Sequence, residues 1–213
     1  MPKLNEPWHI FEMINSVPYI KSGDDVDWSI QVDEDNKYVW LIFQASEGNL
    51  HDRDWKNNFR FPAKLYKKQE SCMLIHRGYG DAWKSCNDEV MTAFIKICGE
   101  HPDYLPMVCG WSYGGAMALL GAEDFYYRTK RRAGVVTFGA PKPLWGRKTK
   151  KYFWDCVRFA FEWSHVNDVV PLLPPLPGYC RLGTSKCGSG FNLFKLFKPE
   201  IYHCSYGDES LYK

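Results

Sequence analysis

Gly110, Ser112 and Gly114 form a G-x-S-x-G spacing inside MVCGWSYGGAMALL, residues 107–120. A short apolar run precedes the pattern and a run of small residues follows it, so the stretch reads as a buried strand, a tight turn and a helix. A serine at the tip of so sharp a turn has strained backbone angles. The residues two places to either side must then lack side chains, or strand and helix could not pack together. Ser112 projects its hydroxyl above a sheet, beside the positive end of the following helix. Those are the conditions for a nucleophilic serine.

A neutral serine hydroxyl is a poor nucleophile. It needs a histidine to take its proton and a carboxylate to orient that histidine and stabilise its cation. For a serine on such an elbow the partners follow in the order acid, then histidine. Of the 6 histidines, His9, His51, His76 and His101 precede Ser112, which leaves His165 and His203. With His165 as base, the acid would come from Glu123, Asp124, Asp155 or Glu162, all within or at the edge of regular elements. With His203, in IYHCSYGD, the acid should stand just beyond a later strand, and Asp168 in VRFAFEWSHVNDVVP is the first carboxylate to do so. The reading is Ser112 as nucleophile, Asp168 as acid and His203 as base, with Glu162 in reserve.

An oxyanion forming on the substrate needs two backbone donors: one from the residue after the nucleophile, Tyr113, and one from a loop after an earlier strand. FQAS, residues 43–46, is that loop, and the Ser46 hydroxyl can add a further donor.

The elements that must hold these groups alternate along the chain. Apolar residues at helical spacing predict a helix from Trp8 to Ile14, closed near Pro18. Residues 27–32 and 37–43 predict a hairpin whose second strand, YVWLIF, is apolar enough to be central. A long polar loop covers 44–62, and an extended stretch ends at Met73-Leu74-Ile75-His76. Residues 81–100 carry the period of an amphipathic helix, with His101-Pro102 closing it. After the elbow come a buried strand at 134–138, a helix at 143–155 and a strand at 156–163. From 171 to 190 the composition turns to PLLPPLPG and GTSKCGSG, which predicts loop throughout. FNLFKLF, residues 191–197, reads as one or two helical turns packed beside the cleft, with a lipid-touching patch as the alternative. The fold class expected is α/β with a mostly parallel sheet.

At 213 residues, with no linker-like stretch, the chain predicts a single domain across 1–213. A net charge of +2 offers no electrostatic case for a nucleic-acid partner, and 16% aromatic residues suit a greasy cleft. No apolar run approaches a membrane span, and MPKLNEPWHIFEMINS lacks a leader's apolar core. The expectation is a protein that is cytoplasmic or released without a signal peptide. The 8 cysteines form no C-x-x-C pair, so no metal site is expected and most thiols should be reduced and buried. Cys180 and Cys187 bracket a glycine-rich loop and are the one local pair a disulfide could join.

Taken in order, FQAS with DWKNNF behind it, HRGYGDAW, GWSYGGAMALL, TFGAPKP, HVNDVVPLLPP and YHCSY resemble the class 3 lipase family. That family has strand-FRG[ST], D-W-x-x-N, H-x-G-F, G-H-S-L-G-G-A, T-F-G-x-P, N-D-x-V-P-x-x-P and a terminal H-x-x-Y in the same order. The resemblance spans about 38–206. It implies an α/β-hydrolase fold, hydrolysis of carboxylic esters such as acylglycerols without a cofactor, and the roles of Ser112, Asp168, His203 and Ser46 given above. The chain departs from the pattern at Gln44 and Ala45, where the family has arginine and glycine, and at Trp111 and Tyr113, in place of histidine and leucine. Residues 47–62 stand where the family carries a lid, here charged through Asp52, Arg53, Asp54, Lys56 and Arg60.

The expected activity is that of a lipase-like serine ester hydrolase acting on lipid or small ester substrates, with transient contact to a lipid surface. A soluble-ester esterase or acyltransferase would use the same groups. An inactive scaffold binding a lipid or a protein is the reading from another class.

Overall fold

The computed structural model describes residues 3–24, 26–45, 63–68, 71–192 and 199–213. Helix α1 (Pro7–Ser16) leads into strands β1 (Ile20–Ser22), β2 (Val26–Asp33) and β3 (Tyr38–Phe43), then β4 (Ala63–Lys68) and β5 (Ser71–His76). Helix α2 (Arg77–Glu100), β6 (Leu105–Trp111), α3 (Tyr113–Thr129) and β7 (Ala133–Phe138) follow. The second half continues with β8 (Leu144–Trp145), α4 (Gly146–Cys156), β9 (Val157–His165), β10 (Tyr179–Cys180), β11 (Ser185–Cys187) and α5 (Pro199–Tyr202).

Seven strands form the central sheet in the order β1-β2-β3-β6-β7-β9-β11. β1, β2 and β3 are antiparallel neighbours, and from β3 to β11 every pairing is parallel. Both faces of the sheet are covered, as parallel strands require. Along β3 the side chains alternate: Val39, Leu41 and Phe43 join the core built with α2, α3 and α4, while Trp40 and Ile42 join the core built with α1 and Tyr206. A second sheet, in the order β10-β8-β5-β4, is antiparallel throughout.

The hairpin, the elbow and the strands on either side form where the sequence predicts them, and three predictions need correction. Helix α2 starts at Arg77, a turn before the expected 81. Gly78 and Gly80 hide the signal by their poor helix propensity, but Tyr79 between them is buried and its packing holds the extra turn. The helix expected over 143–155 starts at Gly146, because Leu144 pairs with Ile75 of β5 and the Pro143 carbonyl accepts from the His76 amide at 2.8 Å. The segment predicted as loop over 171–190 contains β10 and β11. Ser185, Lys186 and Cys187 lie in register with Trp163, Ser164 and His165, so this short segment completes the edge of the central sheet. The edge backbone of β9 would otherwise lack hydrogen-bond partners, and three residues are enough to supply them.

Cys180 and Cys187 are free thiols in different sheets, Cys180 opposite Leu144 and Cys187 opposite His165, so the one local pair open to a disulfide is not joined. Burial pushes the Cys187 thiol up to about 12. No helix among the described residues is long and apolar enough to cross a membrane.

Candidate active site

The site is assembled at the C-terminal ends of β6, β7 and β9, where ligands meet open parallel sheets. Ser112 links β6 to α3 with φ 54° and ψ −122°. This is a conformation that L-residues adopt only under strain, and the surrounding chain enforces it. A Cβ on Gly110 would overlap the main chain of Gly114, and one on Gly114 would overlap the main chain of Phe43 and Gln44. The G-x-S-x-G spacing is thus a packing requirement of strand, turn and helix together. Tyr113 begins α3, so its N–H belongs to the first turn, whose amides point out of the positive end of the helix. The close approach of Gln44 sets the loop after β3 against that turn. Ser46, the other expected oxyanion residue, and the lid segment 47–62 lie outside the described residues, as does most of FNLFKLF.

Asp168 stands three residues beyond the end of β9, buried, with its carboxylate saturated by donors. Oδ1 accepts from the Val170 amide at 2.9 Å, and Oδ2 accepts from the Tyr206 hydroxyl at 2.6 Å and meets His203 Nδ1 at 2.8 Å. The His203 side chain is 13% exposed and that of Asp168 is 0%. One member of the pair reaches the surface and the other does not. A low-dielectric surround strengthens the hydrogen bond between them.

Ser112 comes to this pair through the backbone. Its amide donates to the Phe138 carbonyl at 2.8 Å, and the next residue, Gly139, donates to the Trp163 carbonyl at 2.9 Å. Gly139 has φ +56°, and a Cβ there would lie 2.7 Å from His203 Cε1 and 2.9 Å from Asp168 Oδ2. The neighbour of Ser112 also touches His203: Trp111 Nε1 donates to the His203 carbonyl at 2.9 Å, with the two rings 5.4 Å apart.

The alternatives weighed from sequence have other occupations. His165 is buried, accepts from the Asn167 amide on Nδ1 at 3.1 Å and stacks on Tyr202. Glu123 accepts from Tyr152, Asp124 accepts from Trp83 and Arg128, and Asp155 pairs with Lys151. Glu162 is fully buried in β9, where it accepts from the Gly183 amide. Burial pushes its carboxyl up to about 7, against the opposing pull of Arg181, the Gly183 N–H and Lys150.

Three residues around the pair lacked a distinct sequence signal. Tyr206 was visible only as the last letter of YHCSY, three places after His203. Its hydroxyl accepts from the His165 amide at 2.9 Å while donating to Asp168. Burial, and then the Asp168 charge, hold its phenol well above the usual tyrosine range, so it stays a donor. Gly139 was part of TFGAP, and Trp111 stood out only as a departure from the family pattern. Among the described residues no group of three His, Cys, Asp or Glu side chains could hold a metal ion.

The family described as Lipase (class 3) matches residues 41–177. The chain belongs to the class 3 lipase family. The match runs from β3 through the elbow to the loop beyond Asp168. The secreted mono- and diacylglycerol lipase A of Penicillium cyclopium is 27% identical over 154 residues, covering 72% of this chain and 48% of that protein. The chain therefore spans about half the length of this relative. A Rhizomucor miehei lipase in a propeptide complex superposes with a TM-score of 0.69 at 21% identity, over 81% of this chain and 56% of that one. The Lip2 lipase of Yarrowia lipolytica does so with a TM-score of 0.71 at 18% identity, over 90% and 79%. These likenesses show the α/β-hydrolase fold, with the mostly parallel sheet and flanking helices described above.

Proposed function

We propose that this class 3 lipase family member is a serine ester hydrolase cleaving carboxylic esters of acylglycerols or related lipids through an acyl-enzyme. The observation that carries the reading is the 2.8 Å contact between His203 Nδ1 and Asp168 Oδ2, against Gly139, whose neighbour Phe138 binds the Ser112 amide. In the reaction, Ser112 Oγ attacks the ester carbonyl carbon as His203 Nε2 takes its proton. The carbonyl oxygen becomes an oxyanion beside the Tyr113 amide and the loop bearing Ser46. Collapse expels the alcohol, which receives the proton from His203. Water then attacks the acyl-enzyme by the same proton route, freeing the acid and Ser112. Asp168 holds the imidazole and stabilises its cation.

A lipid substrate is favoured by the exposed apolar side chains on the segments that carry Asp168 and His203. Leu172 and Leu176 follow Asp168, Phe191 adjoins Asn192, whose amide binds the Asn167 side chain, and Ile201 precedes His203. All four are exposed. Apolar side chains on the segments that carry acid and base suit a transient contact with a lipid surface. The Penicillium relative is named for mono- and diacylglycerols.

The test is fluorophosphonate labelling of the protein and of Ser112→Ala, with turnover of p-nitrophenyl esters of increasing acyl length. Labelling and turnover lost together in the variant, with preference for long chains, is the expected result. A well-folded wild type that neither labels nor turns over would end the proposal. Asp168→Asn should lower kcat by about 10⁴-fold, as loss of the orienting carboxylate does in serine hydrolases generally.

A further inference from the structure

The geometry points to Trp111 as a positioning residue for His203, a role that rests on the reaction proposed above. A general base must stay within hydrogen-bond reach of the nucleophile, and a misplacement of about 1 Å can cost on the order of 100-fold in rate. His203 directly follows α5, a helix of only four residues. One turn of helix is too short to fix its own position in water. Asp168 holds the imidazole at Nδ1, and Tyr202 and Tyr206 anchor the chain on either side, but none of these contacts holds the main chain of His203 itself.

Trp111 supplies a restraint on that main chain. Its Nε1–H donates to the His203 carbonyl at 2.9 Å, across 92 residues of sequence, and its ring lies 5.4 Å from the imidazole at 38°. The indole is itself held, because Phe11 of α1 meets it edge-on at 5.5 Å. Trp111 is peptide-bonded to Ser112. The base is therefore tied to the nucleophile's own neighbour, and the spacing between them no longer depends on the long connection that separates them in sequence. Ser112 is held in turn through its amide on Phe138. The indole thus acts through His203.

The test is Trp111→Phe, which keeps an aromatic ring while removing the donor and part of the indole's bulk. Active sites are titrated with fluorophosphonate, and kcat per titrated site is measured beside KM and the melting temperature. Expected is a fall in kcat per site of roughly 10- to 100-fold with KM changed less than about twofold. A merely structural role would lower the melting temperature or the titrated fraction and leave kcat per site at the wild-type value; that result overturns the proposal. Should Trp111→Phe fail to fold, the wild type decides. The Trp111 indole N–H should exchange with solvent at least about tenfold more slowly than an exposed indole, and exchange at the exposed rate overturns the assignment. Wild type that titrates no reactive serine refutes the proposed hydrolase, whereas wild-type kcat in Trp111→Phe refutes only the role of Trp111.

Discussion

The Tyr206 hydroxyl lies 2.6 Å from the Asp168 oxygen that meets His203, and it accepts the His165 amide at 2.9 Å. One phenol thereby joins the C-terminal end of β9 to the carboxylate three residues beyond it. An uncompensated carboxylate could not be buried here, and the phenol is one of three donors that make its burial tolerable.

Tyr206→Phe leaves Asp168 Oδ2 with His203 as its remaining side-chain partner and removes the acceptor of the His165 amide. Stability should fall by about 1–3 kcal/mol, the usual cost of stranding buried polar groups. Turnover should fall by roughly tenfold. Urea melts and ester kinetics on the same preparation check both, and wild-type stability would count against a structural contribution from the phenol.

Gly139→Ala places a methyl 2.7 Å from His203 Cε1 at a residue with φ +56°. Both the strained backbone and the displaced imidazole act in one direction. A stability loss of about 1–3 kcal/mol is expected, with a fall in kcat larger than the rise in KM. Thermal melts and a kcat against KM comparison test it.

Glu162 makes stability depend on pH. Its carboxyl rises from 4.5 to about 7 in the folded protein because burial disfavours the charged form. Between those values the native state binds the proton that the unfolded state has released, so unfolding free energy falls as pH rises from about 4.5 to 7 and this contribution levels off above. Glu162→Gln should remove that slope, so the variant gains on wild type across the window by up to about 3 kcal/mol at 1.36 kcal/mol per pH unit. Melting temperatures at pH 5 and pH 8 decide it, and a constant difference between the two proteins would contradict the linkage.

Cys180 and Cys187 are free thiols in different sheets. Adding reductant should leave the melting temperature unchanged, since no constraint on the unfolded chain is being released. A drop of several degrees in dithiothreitol would show that they pair.

Much of the site was legible because its signals are local. An elbow needs small residues at fixed offsets from Ser112, and that requirement is written into five consecutive letters. Chain order and a strand ending before Asp168 sufficed to single out the carboxylate and imidazole that the structure brings to 2.8 Å. The edge strand Ser185–Cys187 was not legible, because three residues are too few to show a period and proline and glycine before it read as loop.

The sequence by itself determined the strand-turn-helix that strains Ser112, the alternation that buries both faces of the sheet, and the order of serine, carboxylate and histidine. These follow from sterics and periodicity between near neighbours. Only the tertiary structure decided that Tyr206 reaches Asp168 from 38 residues away, that Gly139 lies against both members of the pair, and that Trp111 holds the His203 carbonyl from 92 residues away. Such contacts exist because parallel pairing brings the ends of β6, β7 and β9 side by side, and no spacing along the chain encodes which side chains then meet.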